Sequence, residues 1–245
     1  MRDASTGRRA TWRDRLGAQV ALVRYNLKII FGGKFLYFLL GALGFYLLIV
    51  GISLFDAETY PELEDAFVLL LFPGLLLVFY PTVFGIQNDV DARTIELLFG
   101  IPNYRYRVWL LRFAVIIGMV FTILLLLAGL TTLVYVPVPM LEMTAHLMVS
   151  LTFLGATGFL IATLVRNGNG AAGVMVLVIL AVWILGEIFN RTAWQVFLNP
   201  YDKPNDLTPP VWSELLLYNR IYLVVGTILA ILGALLRLQK RERFI

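Results

Sequence analysis

The chain has 245 residues and a mass of 27.6 kDa; 60% of its residues are hydrophobic, 15% are charged, and the mean hydropathy is +0.82. A soluble domain runs near ~45–50% apolar and ~25% charged, so a soluble enzyme, a disordered tail and a secreted disulfide scaffold are excluded. The absence of cysteine removes disulfides, thiolate zinc sites and cysteine nucleophiles, and a net charge of +4 reads as membrane topology rather than nucleic-acid binding.

Residues 1–34 form a cytoplasmic tail and an amphipathic helix. Trp12, Leu16, Val20, Val23, Leu27 and Ile30 recur at steps of three and four, one face of a helix. Arg13, Arg24 and Lys28 flank that face, the pattern of a helix lying in the membrane interface. No apolar signal-peptide core occurs in this segment, so the first span is expected to be an uncleaved anchor.

Residues 35–245 form the membrane domain. A helix needs about 20 apolar residues to cross a bilayer, and six stretches qualify: about 35–55, 66–86, 113–136, 143–165, 171–189 and 216–236. In lipid a lone open strand would leave backbone groups unpaired, so all six must be helices. The expected fold class is an all-α membrane protein with six transmembrane helices and an N-terminal interfacial amphipathic helix.

Basic residues fix the orientation. Eight precede the first span, four lie in 87–112, Arg166 lies in the loop after span four, and four lie in the tail. The alternate loops 56–65 and 137–142 carry none, and 190–220 carries Arg191, Lys203 and Arg220. The balance of 17 against 3 places both termini in the cytoplasm.

The loop after span two reads NDVDARTIELLFGIPNYRYRVWLLR. Asp89 or Asp91 is placed to cap a short helix at about 90–100. Ile95, Leu98 and Phe99 share one face, and Gly100 and Pro102 stop the helix. An exposed apolar knob of this kind is a contact surface; folding back onto the bilayer interface is the alternative.

Charges inside spans are functional candidates because burying them is costly. Glu187 sits near the outer end of span five with Arg191 four residues on, the spacing of a helical ion pair. His146, at the outer end of span four, is expected to be solvated; it shares a face with Ser150 and Thr157, either packing or a polar stripe along an internal path. Arg112 is expected to snorkel to the inner headgroups. No charge remains at mid-depth for a proton-coupled carrier or voltage sensor, which suits a lipid-like, amphiphilic or glycan-carrying substrate. One histidine, no cysteine and no His-Glu motif argue against a membrane-embedded enzyme. Gly41/Gly44, Gly155/Gly158 and Gly170/Gly173 read as internal packing positions. Residues 207–217, with Pro209, Pro210 and Trp212, would suit a short outer interfacial helix.

The ordered set Thr94-x-Glu96-x-Leu98, Pro102, Arg105 and Arg112 resembles the first cytoplasmic loop of type-2 ABC exporter permeases. That family is six-spanning, with a basic amphipathic helix before span one and its large external segment between spans five and six. The residue-level match covers about 20 positions, and Arg93 stands where many members have glycine. The resemblance implies that 90–100 is a coupling helix seated in a separate ABC ATPase subunit, through Asp91, Arg93, Thr94, Ile95, Glu96, Leu98, Phe99, Pro102 and Arg105. It also implies a second permease copy, as homo- or heterodimer. No G-x-x-x-x-G-K-[ST] loop occurs here, so this chain is expected to bind no cofactor, with ATP and Mg on the partner. The expected function is the permease subunit of an ATP-driven exporter in a bacterial or archaeal plasma membrane. A polysaccharide or lipid-linked glycan exporter permease, or a membrane subunit of a motility or assembly complex, is the alternative.

Overall fold

The computed structural model describes residues 34–55, 61–91, 105–165, 167–189 and 192–238. Among these the chain is entirely helical outside its turns and loops. The helices are α1 (Phe35–Phe55), α2 (Leu63–Asp91), α3 (Leu111–Val134), α4 (Met140–Leu164), α5 (Gly168–Ile188) and α6 (Pro209–Arg237). A π-helical turn, Arg105–Leu110, leads directly into α3. All six α-helices are long and apolar enough to cross a membrane. The interfacial helix expected before α1 lies outside the described residues.

α1 has the bounds expected for span one. α2 and α6 run well past theirs. Each has 29 residues, about 44 Å at 1.5 Å per residue against a hydrocarbon core of ~30 Å. α6 begins at Pro209 and Pro210, where the missing proline N–H groups are not needed. Residues 209–217 are therefore the first turns of span six, not a separate outer helix. Trp212 is not an interfacial anchor but is buried, with its indole N–H donated to the Pro200 carbonyl at 3.1 Å.

α2 and α4 form the centre. Their spanning windows are 67% buried, against 17–22% for α1, α5 and α6, which leaves the latter three to cover the core and face outward. α4 packs most extensively on α6 and α2, and α2 also on α1. Glycine sets these close approaches. A Cβ added at Gly74 would lie 2.5 Å from Leu151 Cδ1, one at Gly155 2.8 Å from Val78 Cγ1, and one at Gly226 2.7 Å from Phe153. Gly41, Gly44 and Gly173 instead face open space, so the internal-packing expectation fails for them.

Antiparallel succession gathers alternate chain ends at the two ends of the bundle. At one end, Lys34 N–H donates to Tyr80 Oη (3.1 Å), Asn88 reaches the same hydroxyl (3.3 Å), and Gly168 N–H donates to Gln87 Oε1 (3.3 Å). Leu238 packs there with Ile86 and Trp109. At the other end, Asn199 Nδ2 donates to the Glu64 carbonyl (3.1 Å), and Thr132 meets Val138. The first end carries the beginnings of α1, α3 and α5 and the ends of α2, α4 and α6.

Candidate functional site

Two features of the bundle have the character of a site. The first is a lateral groove between α1, α2 and α5. It encloses about 430 Å³ and is lined by Phe38, Phe45, Phe72, Phe79 and aliphatic side chains, with no polar surface. A spacing of seven, about two helical turns, puts Phe38 and Phe45 on one stripe of α1 and Phe72 and Phe79 on one stripe of α2. Phe45 meets Phe72 at 5.4 Å between centroids, Phe72 meets Trp183 at 5.4 Å, and Trp183 meets Phe197 at 5.6 Å. Toward the other end Phe38 stacks on Tyr80 at 4.7 Å, and Tyr80 on Phe84 at 5.3 Å. The result is an aromatic track running along most of the bundle's height. Aromatic rings present large, rigid apolar faces to an alkyl or isoprenoid chain.

The second feature is the segment 192–208, which turns back between α4 and α6 as a plug. Turns at steps of three carry its backbone inward: Thr192 N–H to the Phe189 carbonyl, Gln195 N–H to Thr192, and Leu198 N–H to Gln195. Leu198 ends up 3% exposed. Non-helical backbone at membrane depth must have its polar groups satisfied by protein, and side chains from the walls do this. Ser150 Oγ donates to the Val196 carbonyl at 2.7 Å. Asn219 Nδ2 donates to the Ala193 (3.0 Å) and Gln195 (2.8 Å) carbonyls. Arg220 Nη2 donates to the Leu198 carbonyl at 3.3 Å. Ser150 lies ten residues into α4, roughly 15 Å from its start, so the plug reaches far down the bundle.

These contacts place the intramembrane candidates. Ser150 is fully buried and committed to the plug. Thr157 donates to the Phe153 carbonyl of its own helix at 2.9 Å. His146 is half-buried, not freely solvated; its ring stands edge-on to Tyr201 with centroids 6.5 Å apart, and its Nε2 lies 3.9 Å from Glu142 Oε1. The side chain of Glu187 and residue Arg191 lie outside the described residues. Arg112 does not snorkel. It is 5% exposed and packs its guanidinium 5.0 Å from the Trp109 ring centroid, a cation–π contact with the π-helical turn.

Of the coupling set, Asp91 closes α2 and Arg105 opens the π-helical turn. Arg93, Thr94, Ile95, Glu96, Leu98, Phe99 and Pro102 lie outside the described residues. The end of α2 and the π-helical turn lie at the bundle end that also carries Lys34, Gly168 and Leu238.

The sequence reading missed Asn219, Tyr201 and the groove phenylalanines. The signal for Asn219 was available: Asn219 and Arg220 are adjacent polar residues just before a charge-free run from Ile221 to Leu236. Tyr201 carries no such mark. Burial, and secondarily the charge of Glu142, push its phenol up to about 12, and its buried hydroxyl has no hydrogen-bond partner. When the chain is compared with protein-family models, curated proteins and solved structures, nothing matches.

Proposed function

We propose that this chain is the membrane-spanning permease subunit of a type-2 ABC exporter. It works as a dimer, with two copies of a separate ATPase subunit at the end of the bundle that carries residues 92–104. The observation that carries the reading is the ordered set Thr94, Glu96, Leu98, Pro102 and Arg105 in the loop between the second and third of six apolar helices. Two further features agree with it. In sequence that loop belongs to the set of alternate loops and termini that carry 17 of the 20 basic residues, the cytoplasmic set by the positive-inside rule. The apolar aromatic groove suits the hydrocarbon portion of an amphiphilic substrate. Such a groove offers no hydrogen-bond partner for a bare sugar chain, so among glycans it favours a lipid-linked one.

In this reading ATP and Mg act on the partner, and Ile95, Leu98 and Phe99 transmit its closure as an apolar knob in a groove, with Glu96 beside them. The membrane is a bacterial or archaeal plasma membrane. The test is co-expression with the ATPase encoded nearest the gene. Leu98→Asp is expected to abolish substrate-stimulated ATP hydrolysis and transport while the permease still accumulates in the membrane. Unchanged transport and unchanged co-purification would overturn the coupling assignment.

A further inference from the structure

Beside the plug lies a second cavity, of about 290 Å³, opening at the bundle end that carries 61–65 and 192–208. Phe197, Leu198 and Trp212 contribute apolar walls, and Gln195, Asn199 and Asp202 contribute the polar lining. Most of that polarity is already committed. Asn199 Nδ2 donates to the Glu64 carbonyl and its Oδ1 accepts from Tyr201 N–H at 3.0 Å. The Trp212 indole N–H is held by the Pro200 carbonyl, which leaves its ring as wall. One charged group stays open: the Asp202 carboxylate, exposed and with no cationic partner among the described residues.

A cavity whose one unspent charge is a carboxylate calls for a ligand that brings positive charge. One carboxylate is too little for calcium, which takes six to eight oxygens, and no group of three metal-ligating side chains occurs among the described residues. An organic cation fits better: one carboxylate neutralises its charge, and aromatic and aliphatic walls take up its carbon surface. The volume sits at the lower limit of small-molecule pockets, about 300 Å³, the scale of a choline headgroup. The approach is acidic as well. Glu64 lies within the electrostatic reach of Asp202, Glu62 and Asp65, while the nearby Lys203 turns its ammonium to the Leu207 carbonyl at 3.1 Å. A carboxylate-lined entrance raises the local concentration of cations.

We infer that this cavity is a binding site for a small organic cation of the alkylammonium class, entered from the face formed by 61–65 and 192–208. The site does not depend on the exporter reading, because binding there needs neither ATP nor a partner subunit. The test is calorimetric titration of the full chain in lipid nanodiscs with choline. Choline is expected to bind saturably, once per chain. Asp202→Asn, at an exposed position that the fold does not need, is expected to weaken binding about tenfold or more. Dimethylbutanol, the neutral carbon isostere of choline, is expected to bind weaker by a similar factor of about ten. Asp206→Asn, which lies outside the cavity, is expected to change nothing. Four results would each overturn the assignment: no saturable binding, an unaltered affinity in Asp202→Asn, equal binding of the neutral isostere, or equal weakening by Asp206→Asn, which would mean diffuse surface charge.

Discussion

Asn219 has no exposed surface, and its single amide group holds two carbonyls of a backbone that would otherwise be stranded between helices. Each stranded buried acceptor costs about 1–3 kcal/mol. Asn219→Ala is therefore expected to destabilise the protein by about 2–4 kcal/mol, and to release 192–198 before the bundle melts. Limited proteolysis in detergent, with the cleavage site read by mass spectrometry, checks both parts. Cutting confined to other loops would show that the plug does not depend on this residue. Ser150→Ala removes one carbonyl's partner rather than two and is expected to show the same effect at smaller size. Tyr201 gives a prediction of a different kind. Its phenol is raised from 10 to about 12 in the fold, so the folded state holds its proton where the unfolded chain has lost it. That contribution to stability is complete below pH 10 and is lost as pH rises from 10 to about 12. Thermal melts across this window are expected to fall more steeply for the native chain than for Tyr201→Phe. Because the hydroxyl has no hydrogen-bond partner, the same substitution is expected to cost nothing near neutral pH.

At the scale of elements, the helices were legible and their contacts were not. α1 matches its expected span because the charge-free window itself ends at Lys34 and Asp56. α2 and α6 outrun theirs because hydropathy reports the hydrocarbon slab, whereas a helix continues until its capping chemistry changes. The plug was illegible for a further reason. The bonds that Ser150, Asn219 and Arg220 make to it span 22 to 46 positions, and no local pattern encodes such pairings. The glycines show both sides of this. Sequence spacing marks Gly155 and Gly173 alike, yet only Gly155 meets another helix. Gly155→Val is expected to force α2 and α4 apart, since even its Cβ would sit 2.8 Å from Val78 Cγ1. Such overpacking costs about 1–3 kcal/mol. Gly173→Val, with open space around it, is expected to leave the melting temperature within the scatter of ordinary surface substitutions, about ±0.5 kcal/mol. Equal losses at the two sites would mean that helix propensity, not the α2–α4 approach, governs them.

At the scale of the whole molecule, what matters is which end faces which compartment. The bundle separates Lys34, at the start of α1, from Lys203, between α5 and α6, by five crossings. An odd number of crossings puts them on opposite sides whatever the orientation. The chain has no cysteine of its own, so a single introduced thiol reports its own position without background. Both lysines are exposed. Lys203→Cys is expected to react with a membrane-impermeant maleimide in intact cells. Lys34→Cys is expected to react only after the membrane is opened. Labelling of both from one side would contradict six crossings. Labelling in the reverse sense would keep the fold but invert it, against the 17-to-3 distribution of basic residues. Inversion would also carry residues 92–104 to the side without ATP, where no ATPase could meet them. The accessibility of these two positions therefore bears on more than topology: the exporter reading stands only if Lys34 and the loop after α2 share the cytoplasmic side.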